Sequence, residues 1–263
     1  MAIVNLTPDS FSDGGQHEVP EAAIAHAQAC LDQGADILDL GAESTRPGAM
    51  AVDEGQEWAR LEPVLREAVR WNCPVSVDTR RTSVMRRALD LGADVINDVQ
   101  ALQAPGALEV LAQHPCAGAC LMHMRGEPGT MQQHTDYGDV VQEVGEWLRS
   151  RARVVQEAGI AAERLMLDPG IGFAKRPQHN LALLEQQRRL TALAGGPLLI
   201  GWSRKSTLGT VTGRSHAADR MAASVAAALL AAQAGAAVLR VHDVAQTVDA
   251  LKVWRAVGSP VSE

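Results

Sequence analysis

The chain has 263 residues, of which 46% are hydrophobic and 21% charged, and a formal net charge of −7. This composition is ordinary for a globular protein, and the length suits one large domain or two small ones. The acidic balance argues against nucleic-acid binding, which requires a positive field, but it allows a small anionic substrate held by a local cluster of cations.

The sequence contains no signal peptide, and no apolar run reaches the roughly 18 residues that a membrane helix needs. Its four cysteines form no CxxC pair and no zinc-like spacing. Cys116 and Cys120 flank a short apolar stretch and are predicted to be small buried residues. We therefore expect a cytoplasmic protein that binds neither membranes nor nucleic acid.

Strand-like and helix-like segments alternate along the chain. Three segments share one layout: residues 33–40, 91–98 and 234–241. Each follows a helix-like run and contains a Gly suited to ending a helix, and a short apolar strand comes after that Gly. The strands are continuous and apolar, as expected when helices cover a parallel sheet. In chain order, the prediction is strand 2–6, helix 20–33, strand within 33–40, helix 54–71, strand 74–77, helix 83–91, strand within 91–98, strand 119–122, helix 140–158, strand 165–167, helix 180–193, strand 198–200, helix 220–234 and strand within 234–241.

Eight such units indicate either a closed barrel or a long doubly wound sheet. No GxGxxG motif follows the first strand, so the dinucleotide-binding sheet lacks its main signature. No linker, charge block or low-complexity tract divides the chain. We therefore predict an α/β fold with residues 1–263 forming a single (βα)8 TIM-barrel domain.

Polar residues follow the predicted strands at their carboxyl ends, where barrel enzymes carry their chemistry. Together they predict a ligand with two different ends. Asp78, Asp168 and Asn97 offer hydrogen-bonding groups to a flat heterocycle, and Lys205, Arg240 and His242 form a cationic pole suited to phosphate. The full set of strand ends is Asn5, Glu43, Asp78, Asn97, His123, Asp168, the turn 203–206, and Arg240 with His242.

Structural interpretations stand beside these functional ones. The charged ring could consist of internal ion pairs, and Asp39, inside a strand, is more typical of a satisfied structural group than of a catalyst. The pairs Arg80-Arg81 and Arg86-Arg87 are predicted to lie on a solvated helix face. The loops 7–15 and 43–49 could close over the site or be ordinary turns.

The motifs, taken together, resemble the dihydropteroate synthase family over nearly the whole chain. Residues 5–15 and 41–48 resemble its two pterin-binding signatures. Six further strand ends match in order: Val77-Asp78-Thr79, Ile96-Asn97-Asp98, Met122-His123-Met124, Leu167-Asp168-Pro169-Gly170, Ser203-Arg204-Lys205-Ser206 and Arg240-Val241-His242-Asp243.

The resemblance implies that 6-hydroxymethyl-7,8-dihydropterin diphosphate reacts with p-aminobenzoate to give 7,8-dihydropteroate and pyrophosphate, the transfer of a pterinylmethyl group. It implies catalytic roles for Lys205, Arg240, His242 and Asp78. The implied pterin site is Asp78, Asn97, Met122, Asp168 and Lys205, and the implied diphosphate site is Asn5, Thr45, Arg240 and His242. The implied p-aminobenzoate site is Phe11, Arg46, Pro47, Phe173, Lys205 and Ser206.

The resemblance also implies Mg²⁺ as cofactor with Asn5 as its protein ligand, competition by sulfonamides at the amine site, and a homodimer. A dissociative, SN1-like path is expected, because the dihydropterin can stabilise a methylene cation. Three features depart from the family pattern. They are Ala42 in place of a common Gly, Trp202 ahead of the 203–206 turn, and a missing lead-in segment before the first strand.

Alternative functions remain open. A methyltetrahydrofolate–corrinoid methyltransferase would share the barrel and the pterin acids but would not need the 203–206 turn or the 7–15 loop. A catalytically silent paralogue would be expected to lose loop residues such as Asp9, Phe11 or Arg46, and all three are present. A phosphate-binding barrel isomerase would place a Gly-rich anion site where this chain has Lys205 and Arg240.

Overall fold

A computed structural model describes residues 1–7, 19–43, 52–127 and 129–258 of the chain. The eight predicted strands are present and all paired strands run parallel. They are β1 Ala2–Asn5, β2 Leu38–Gly41, β3 Val75–Asp78, β4 Val95–Asp98, β5 Gly118–Met122, β6 Leu165–Asp168, β7 Leu199–Ile200 and β8 Val238–Leu239.

The strands follow one another in sequence order around a ring. β1 to β6 form one continuous sheet, and β7 pairs with β8. Single parallel bridges, Leu167 to Leu198 and Ala2 to Val241, join the two groups. A backbone hydrogen bond of 2.9 Å from Ile3 N to Val241 O lies at the second junction. The strand order and the two bridges together correspond to the predicted (βα)8 barrel.

Helices connect the strands and cover the outside of the ring. Five predicted helices are confirmed to within three residues at either end, whereas the segment predicted as one helix at 180–193 is two helices that break at Gln186. The helices are α1 Val19–Asp32, α2 Glu54–Ala68, α3 Thr82–Asp90, α4 Ala107–Ala112, α5 Val140–Glu157, α6 Pro177–Glu185, α7 Gln187–Ala194, α8 Ser206–Thr212, α9 Met221–Gln233 and α10 Val244–Gly258.

The recurring Gly after a helix works as the sequence pattern predicts. Gly92 follows α3 with φ of +105°, a conformation that side-chain-bearing residues rarely adopt. Its N–H donates to Leu89 O, and the N–H of Ala93 donates to Ala88 O, so two terminal carbonyls of α3 are satisfied before β4 begins. The turn therefore ends the helix and directs the chain back into the sheet.

The main core lies between the strands and the surrounding helices, where apolar residues of both are buried. Cys120 is buried as predicted, but the prediction for Cys116 is wrong, because its side chain is exposed in the turn before β5. Among the described residues, no helix has the length and apolar character needed to cross a membrane.

Candidate active site at the carboxyl ends of the strands

Parallel pairing brings the predicted site residues to the same edge of the barrel. Asp78 at the end of β3 pairs in register with Asn97 of β4. Met122 at the end of β5 pairs with Asp168 at the end of β6. Asn5 ends β1, so four of the predicted pterin residues and the predicted metal ligand lie at one end of the ring.

Arg240, which directly follows β8, lies between two acids. Its Nε donates to Asp39 Oδ2 at 2.6 Å and its terminal nitrogen donates to Asp78 Oδ2 at 2.8 Å. The sequence placed Arg240 in a cationic pole opposite the acids. In the structure the Arg240 guanidinium instead pairs with both Asp39 and Asp78. This arrangement agrees with the structural interpretation, in which the charged residues form internal ion pairs.

Asp39 of β2 is fully buried and connects β2 with β3, with β4 and with the residue that follows β8. Besides Arg240, its carboxylate accepts from Ser76 Oγ at 2.6 Å and from Asn97 Nδ2 at 3.2 Å. The carboxylate is satisfied, as the structural interpretation predicts, but its partners are Arg240 and Asn97, two predicted substrate residues. Asp39 therefore fixes the orientation of the side chains that line the site.

Two acids of the site, Asp78 and Asp168, have raised pKa values and so hold protons more tightly than exposed carboxylates do. Burial raises the pKa of Asp78 to about 7; Arg240 opposes this shift, and neighbouring Asp39 adds to it. Burial also raises the pKa of Asp168, against the opposing effects of the Gly170 N–H, which donates to Oδ1 at 2.7 Å, and of Lys205. Because one guanidinium is shared between Asp39 and Asp78, it offsets the effect of burial on Asp78 only in part.

The turn after β7 brings together three predicted residues of the amine site. The Lys205 ammonium lies 4.3 Å from the centre of the Phe173 ring, within range of a cation–π contact, and Ser206 is the exposed first residue of α8. Arg204 adopts φ of +60°, which costs energy outside glycine. Its N–H donates to Ser224 Oγ at 2.9 Å and its carbonyl accepts from Arg220 at 3.0 Å, contacts that hold the strained turn.

His242 lies against the same turn. Its Nδ1 is 2.9 Å from Ser203 Oγ, and its backbone N–H donates to that oxygen at 3.1 Å. Next to it, Arg204 pairs with Asp243 at 2.6 Å. These contacts tie the end of β8 to the end of β7, so His242 and Lys205 are held on adjacent segments.

Trp202 is 2% exposed and packs in the main core behind this turn. Its indole Nε1 has no hydrogen-bond partner among the described residues. The departure from the family pattern at this position is therefore accommodated by packing.

Four predicted residues, Phe11, Thr45, Arg46 and Pro47, lie outside the described residues, as does most of both loops. The described residues hold no group of three His, Cys, Asp or Glu side chains that could bind a metal. A site of that kind is not needed for Mg²⁺ that arrives with a diphosphate, because the substrate and water then supply most of its oxygen ligands. The half-buried Asn5 carboxamide fits such a role as a single oxygen donor at the strand ends.

The prediction of a solvated face for Arg80 and Arg81 is wrong. Arg81 pairs with Glu43 at 2.8 Å and with the fully buried Glu57 at 2.5 Å, and Arg80 pairs with Glu43 at 3.3 Å. Sequence reasoning missed this cluster because its acids come from the segment after β2 and from α2, more than 20 residues away along the chain. The strand-end residue Glu43 is therefore paired with arginines.

For Arg86 and Arg87 the prediction is confirmed, because both are exposed on α3, where they also contact protein groups. Arg86 donates to Gln113 Oε1 at 2.8 Å, and the guanidinium of Arg87 lies 4.2 Å from the centre of a Trp58 ring.

Lys175 and His123 form a second feature that the sequence did not predict. His123 is 2% and Lys175 3% exposed, and Lys175 Nζ lies 3.0 Å from His123 Nδ1. Burial lowers the pKa of Lys175 to about 7, although Asp168 favours its charged form. Burial, with the neighbouring Lys175, also holds the pKa of His123 well below its usual value. His123, which the sequence placed among the polar strand ends, is therefore buried and paired with Lys175.

Comparison with known proteins agrees with this geometry. The family model described as "Pterin binding enzyme" matches residues 1–242. The dihydropteroate synthase of Neisseria meningitidis serogroup B is 55% identical over 262 residues, which cover 98% of this chain and 92% of that protein.

Solved structures are similarly close. A structure of Xanthomonas albilineans dihydropteroate synthase with 4-aminobenzoic acid superposes with a TM-score of 0.93 at 51% identity, covering 98% of this chain and 92% of that one. Another structure from that organism, in complex with 7,8-dihydropteroate, has a TM-score of 0.88 at 47% identity, covering 98% and 93% of the two chains. The chain therefore belongs to the dihydropteroate synthase family of pterin-binding enzymes.

Proposed function

We propose that this chain condenses 6-hydroxymethyl-7,8-dihydropterin diphosphate with p-aminobenzoate to give 7,8-dihydropteroate and pyrophosphate, a step of folate biosynthesis. One observation carries the proposal. Buried acids with raised pKa values and the Lys205–Phe173 pair meet at the carboxyl ends of the strands in a chain of this family. Such an arrangement suits a ligand that is a flat, donor-rich heterocycle at one end and an aromatic amine at the other.

The pterin ring is proposed to bind among Asp78, Asn97, Asp168 and Lys205, with Met122 against its face. An amino-oxo-pyrimidine edge presents two neighbouring N–H donors, and an ionised carboxylate accepts both in charge-assisted bonds. Asp168 suits this role because its Oδ1 is already oriented by the Gly170 N–H at 2.7 Å. Binding of the donor edge would favour the ionised form of the acid that accepts it.

The p-aminobenzoate site is proposed to include Phe173, Lys205 and Ser206, together with Phe11, Arg46 and Pro47. The Phe173 ring offers an apolar surface for the aromatic ring of the amine. The Lys205 ammonium, 4.3 Å from the centre of the Phe173 ring, offers a positive charge for the carboxylate of p-aminobenzoate or for the leaving pyrophosphate. Sulfonamides, which resemble p-aminobenzoate, are expected to compete at this position.

The diphosphate is proposed to lie near Asn5, Thr45, Arg240 and His242. Mg²⁺ bound to it would neutralise charge on the pyrophosphate leaving group, with Asn5 as its protein ligand. His242 is already held by Ser203 at 2.9 Å, and Arg240 is held by two acids, so both side chains are oriented before substrate binds.

The reaction is proposed to follow a dissociative path. Breaking the C–O bond leaves a methylene cation on the electron-rich dihydropterin, and the carboxylates of Asp78 and Asp168 favour that positive charge. The aromatic amine is neutral near pH 7, so it attacks without a strong base. Pyrophosphate release from the pterin diphosphate without amine would support this path, and strict dependence of release on amine would contradict it.

We also propose a homodimer formed through the last three helices. Six of the eight large exposed apolar side chains among the described residues lie on α8, α9 and α10, and α9 packs against both of the others. They are Val211, Met221, Leu230, Val253, Trp254 and Val257. Monomeric proteins rarely leave such apolar surface uncovered. A cytoplasmic location stays a prediction.

The function is tested by comparing pyrophosphate release with Mg²⁺ in wild type, in Lys205→Ala and in the control Lys252→Ala, whose lysine is 71% exposed on α10. We expect release that p-aminobenzoate accelerates in wild type and in the control, and a fall of roughly 100-fold or more in Lys205→Ala, because the lost cation stabilises charge during the reaction. Tight pterin binding without turnover in wild type would instead support the silent paralogue.

A further inference from the structure

The segment between β6 and α6, residues 169–176, contains Phe173 and has an unusual backbone conformation at three of its other residues. Gly170, Gly172 and Ala174 have positive φ of 68°, 83° and 50°. Ala174 pays an energetic cost for this conformation, since its side chain disfavours it. A segment of this kind keeps one shape only if its surroundings restrain it.

The segment lies tightly against the end of β5. A Cβ on Gly170 would sit 2.0 Å from the carbonyl oxygen of His123, so no other residue fits there without movement. The Phe173 N–H donates to Gly170 O at 3.0 Å and closes a turn within the segment. The position of the Phe173 ring therefore depends on how firmly this turn is held to β5.

Lys175 supplies that restraint from inside the protein. Its Nζ is 3.1 Å from Gly170 O, 3.0 Å from Phe173 O and 3.0 Å from His123 Nδ1. An ammonium donates to all three acceptors. A neutral amine donates to the two carbonyls and accepts from a protonated Nδ1, so the three contacts persist in either protonation state.

An apolar side chain could fill the same space but would remove this donor from Phe173 O, at a cost typical of a lost hydrogen bond, whereas Gly170 O would keep the Phe173 N–H. Lys175 is 3% exposed, and its Nζ is engaged by two backbone carbonyls and by His123. Its contribution is to the shape of the segment.

A second contact holds the segment on its other side. The Gly172 N–H donates to Asn180 Oδ1 at 2.9 Å, and Asn180 Nδ2 donates to Thr207 Oγ1 at 2.9 Å. Thr207 belongs to α8, two residues after Lys205. The segment that carries Phe173 is thus connected both to β5 and to the helix that follows Lys205.

We infer that Lys175 is a positioning residue for the amine site: by binding Gly170 O, Phe173 O and His123 together, it holds the Phe173 ring at its distance from the Lys205 ammonium. This inference rests on the proposed function. It assigns to Lys175 no contact with either substrate and no proton transfer.

Lys175→Met tests the inference, because methionine retains much of the volume of the side chain and removes the amine. We expect the KM for p-aminobenzoate to rise roughly tenfold, the equivalent of one lost hydrogen bond, while the Kd for the pterin diphosphate changes less than about twofold. Lys252→Met, at a side chain that is 71% exposed, is the matched control and should leave both constants unchanged.

Chemical rescue separates the amine from mere packing. Lys175→Ala should lose affinity for p-aminobenzoate and regain it when propylammonium is added, but not when propanol, of similar size, is added. The same pair of additives decides the question if Lys175→Met fails to fold.

An unchanged KM for p-aminobenzoate in folded Lys175→Met, or a folded Lys175→Ala that propylammonium does not restore, would overturn the inference. Equal loss of pterin and amine affinity would also overturn it, since that result indicates general disruption. Wild-type protein without dihydropteroate formation would instead refute the proposed function, so the two failures are distinguishable.

Discussion

At the scale of single residues, the site is organised by one cation among buried acids. Arg240 bonds to both Asp39 and Asp78, and Asp39 also orients Asn97. Buried charges are tolerated only when every partner is present, so each of these contacts depends on the others. The orientation of two proposed substrate residues therefore relies on Asp39, which does not itself end a strand.

Asp39→Asn is expected to lower kcat/KM by roughly 100-fold, because small displacements of catalytic groups are costly. Ser76→Ala is the matched control, since Ser76 contacts the same carboxylate at 2.6 Å but is no substrate residue, and a smaller loss is expected. Steady-state kinetics on both variants provide the test. Activity of Asp39→Asn within about twofold of wild type would show that Asp39 only fills space.

The raised pKa of Asp78 has a consequence for stability. A carboxyl group whose folded pKa lies near 7 rather than 3.8 binds more protons in the folded than in the unfolded state between these values. Its contribution to stability is fully present below about pH 4 and is lost as the pH rises through about 7. Asp78→Asn removes this dependence.

Urea unfolding of wild type and Asp78→Asn across this pH range measures the effect. The free energy of unfolding of wild type, relative to the variant, should fall as the pH rises. A difference that stays constant, or that grows with pH, would mean that Asp78 is ionised throughout and that Arg240 outweighs burial.

Some of these residues could be predicted from the sequence and others could not. Asp78 and Asp168 end apolar strands, Asn97 is the penultimate residue of β4, and Lys205 lies in the turn after β7, so the placement of the first three at one edge follows from parallel pairing. The roles of Asp39 and Lys175 depend on partners 201 and 52 residues away, Arg240 and His123. No local pattern carries that information, and the Arg80–Arg81 cluster was misinterpreted for the same reason.

At the scale of elements, helix ends are set by local chemistry. Asp139 precedes α5, and its Oδ1 accepts from the backbone N–H groups of Val141 and Gln142, each at 3.0 Å. These donors have no partner within the helix, so the cap stabilises its first turn. The break at Gln186 between α6 and α7 was not predicted, because no Gly or Pro marks it and the polar run 185–189 is equally typical of the solvated face of one continuous helix.

Asp139→Ala is expected to lower the free energy of unfolding through loss of the cap. Asp139 also pairs with Arg189 at 2.8 Å across an exposed surface. Arg189→Ala removes that pair but keeps the cap, and it should cost less than about 0.5 kcal/mol. Chemical denaturation of both variants separates the two contributions, and equal losses would contradict the role of the cap.

At the scale of the whole molecule, closure of the barrel brings residues from both ends of the chain into one site. β1 and β8 meet through the Ala2–Val241 bridge, which places Asn5 and Arg240 on neighbouring segments. The repeated strand–helix pattern predicts this closure. It does not predict how short β7 and β8 are, at two residues each, because strand length depends on pairing with neighbours.

The proposed dimer is tested by adding charge to its surface. Leu230 is 53% and Val253 66% exposed, so Leu230→Lys with Val253→Glu should not disturb the core. Sedimentation is expected to show a dimer for wild type and a monomer for the double variant. The control Val154→Lys, at a 39% exposed position on α5, should remain dimeric. A wild type that sediments as a monomer would contradict the proposal.

The most direct measurement of the central claim is detection of 7,8-dihydropteroate by mass spectrometry after incubation of the protein with the pterin diphosphate, p-aminobenzoate and Mg²⁺. We expect product that depends on both substrates, that declines when a sulfonamide competes with the amine, and that is nearly absent with Lys205→Ala. Folded wild-type protein that binds the pterin diphosphate but forms no dihydropteroate would contradict the account.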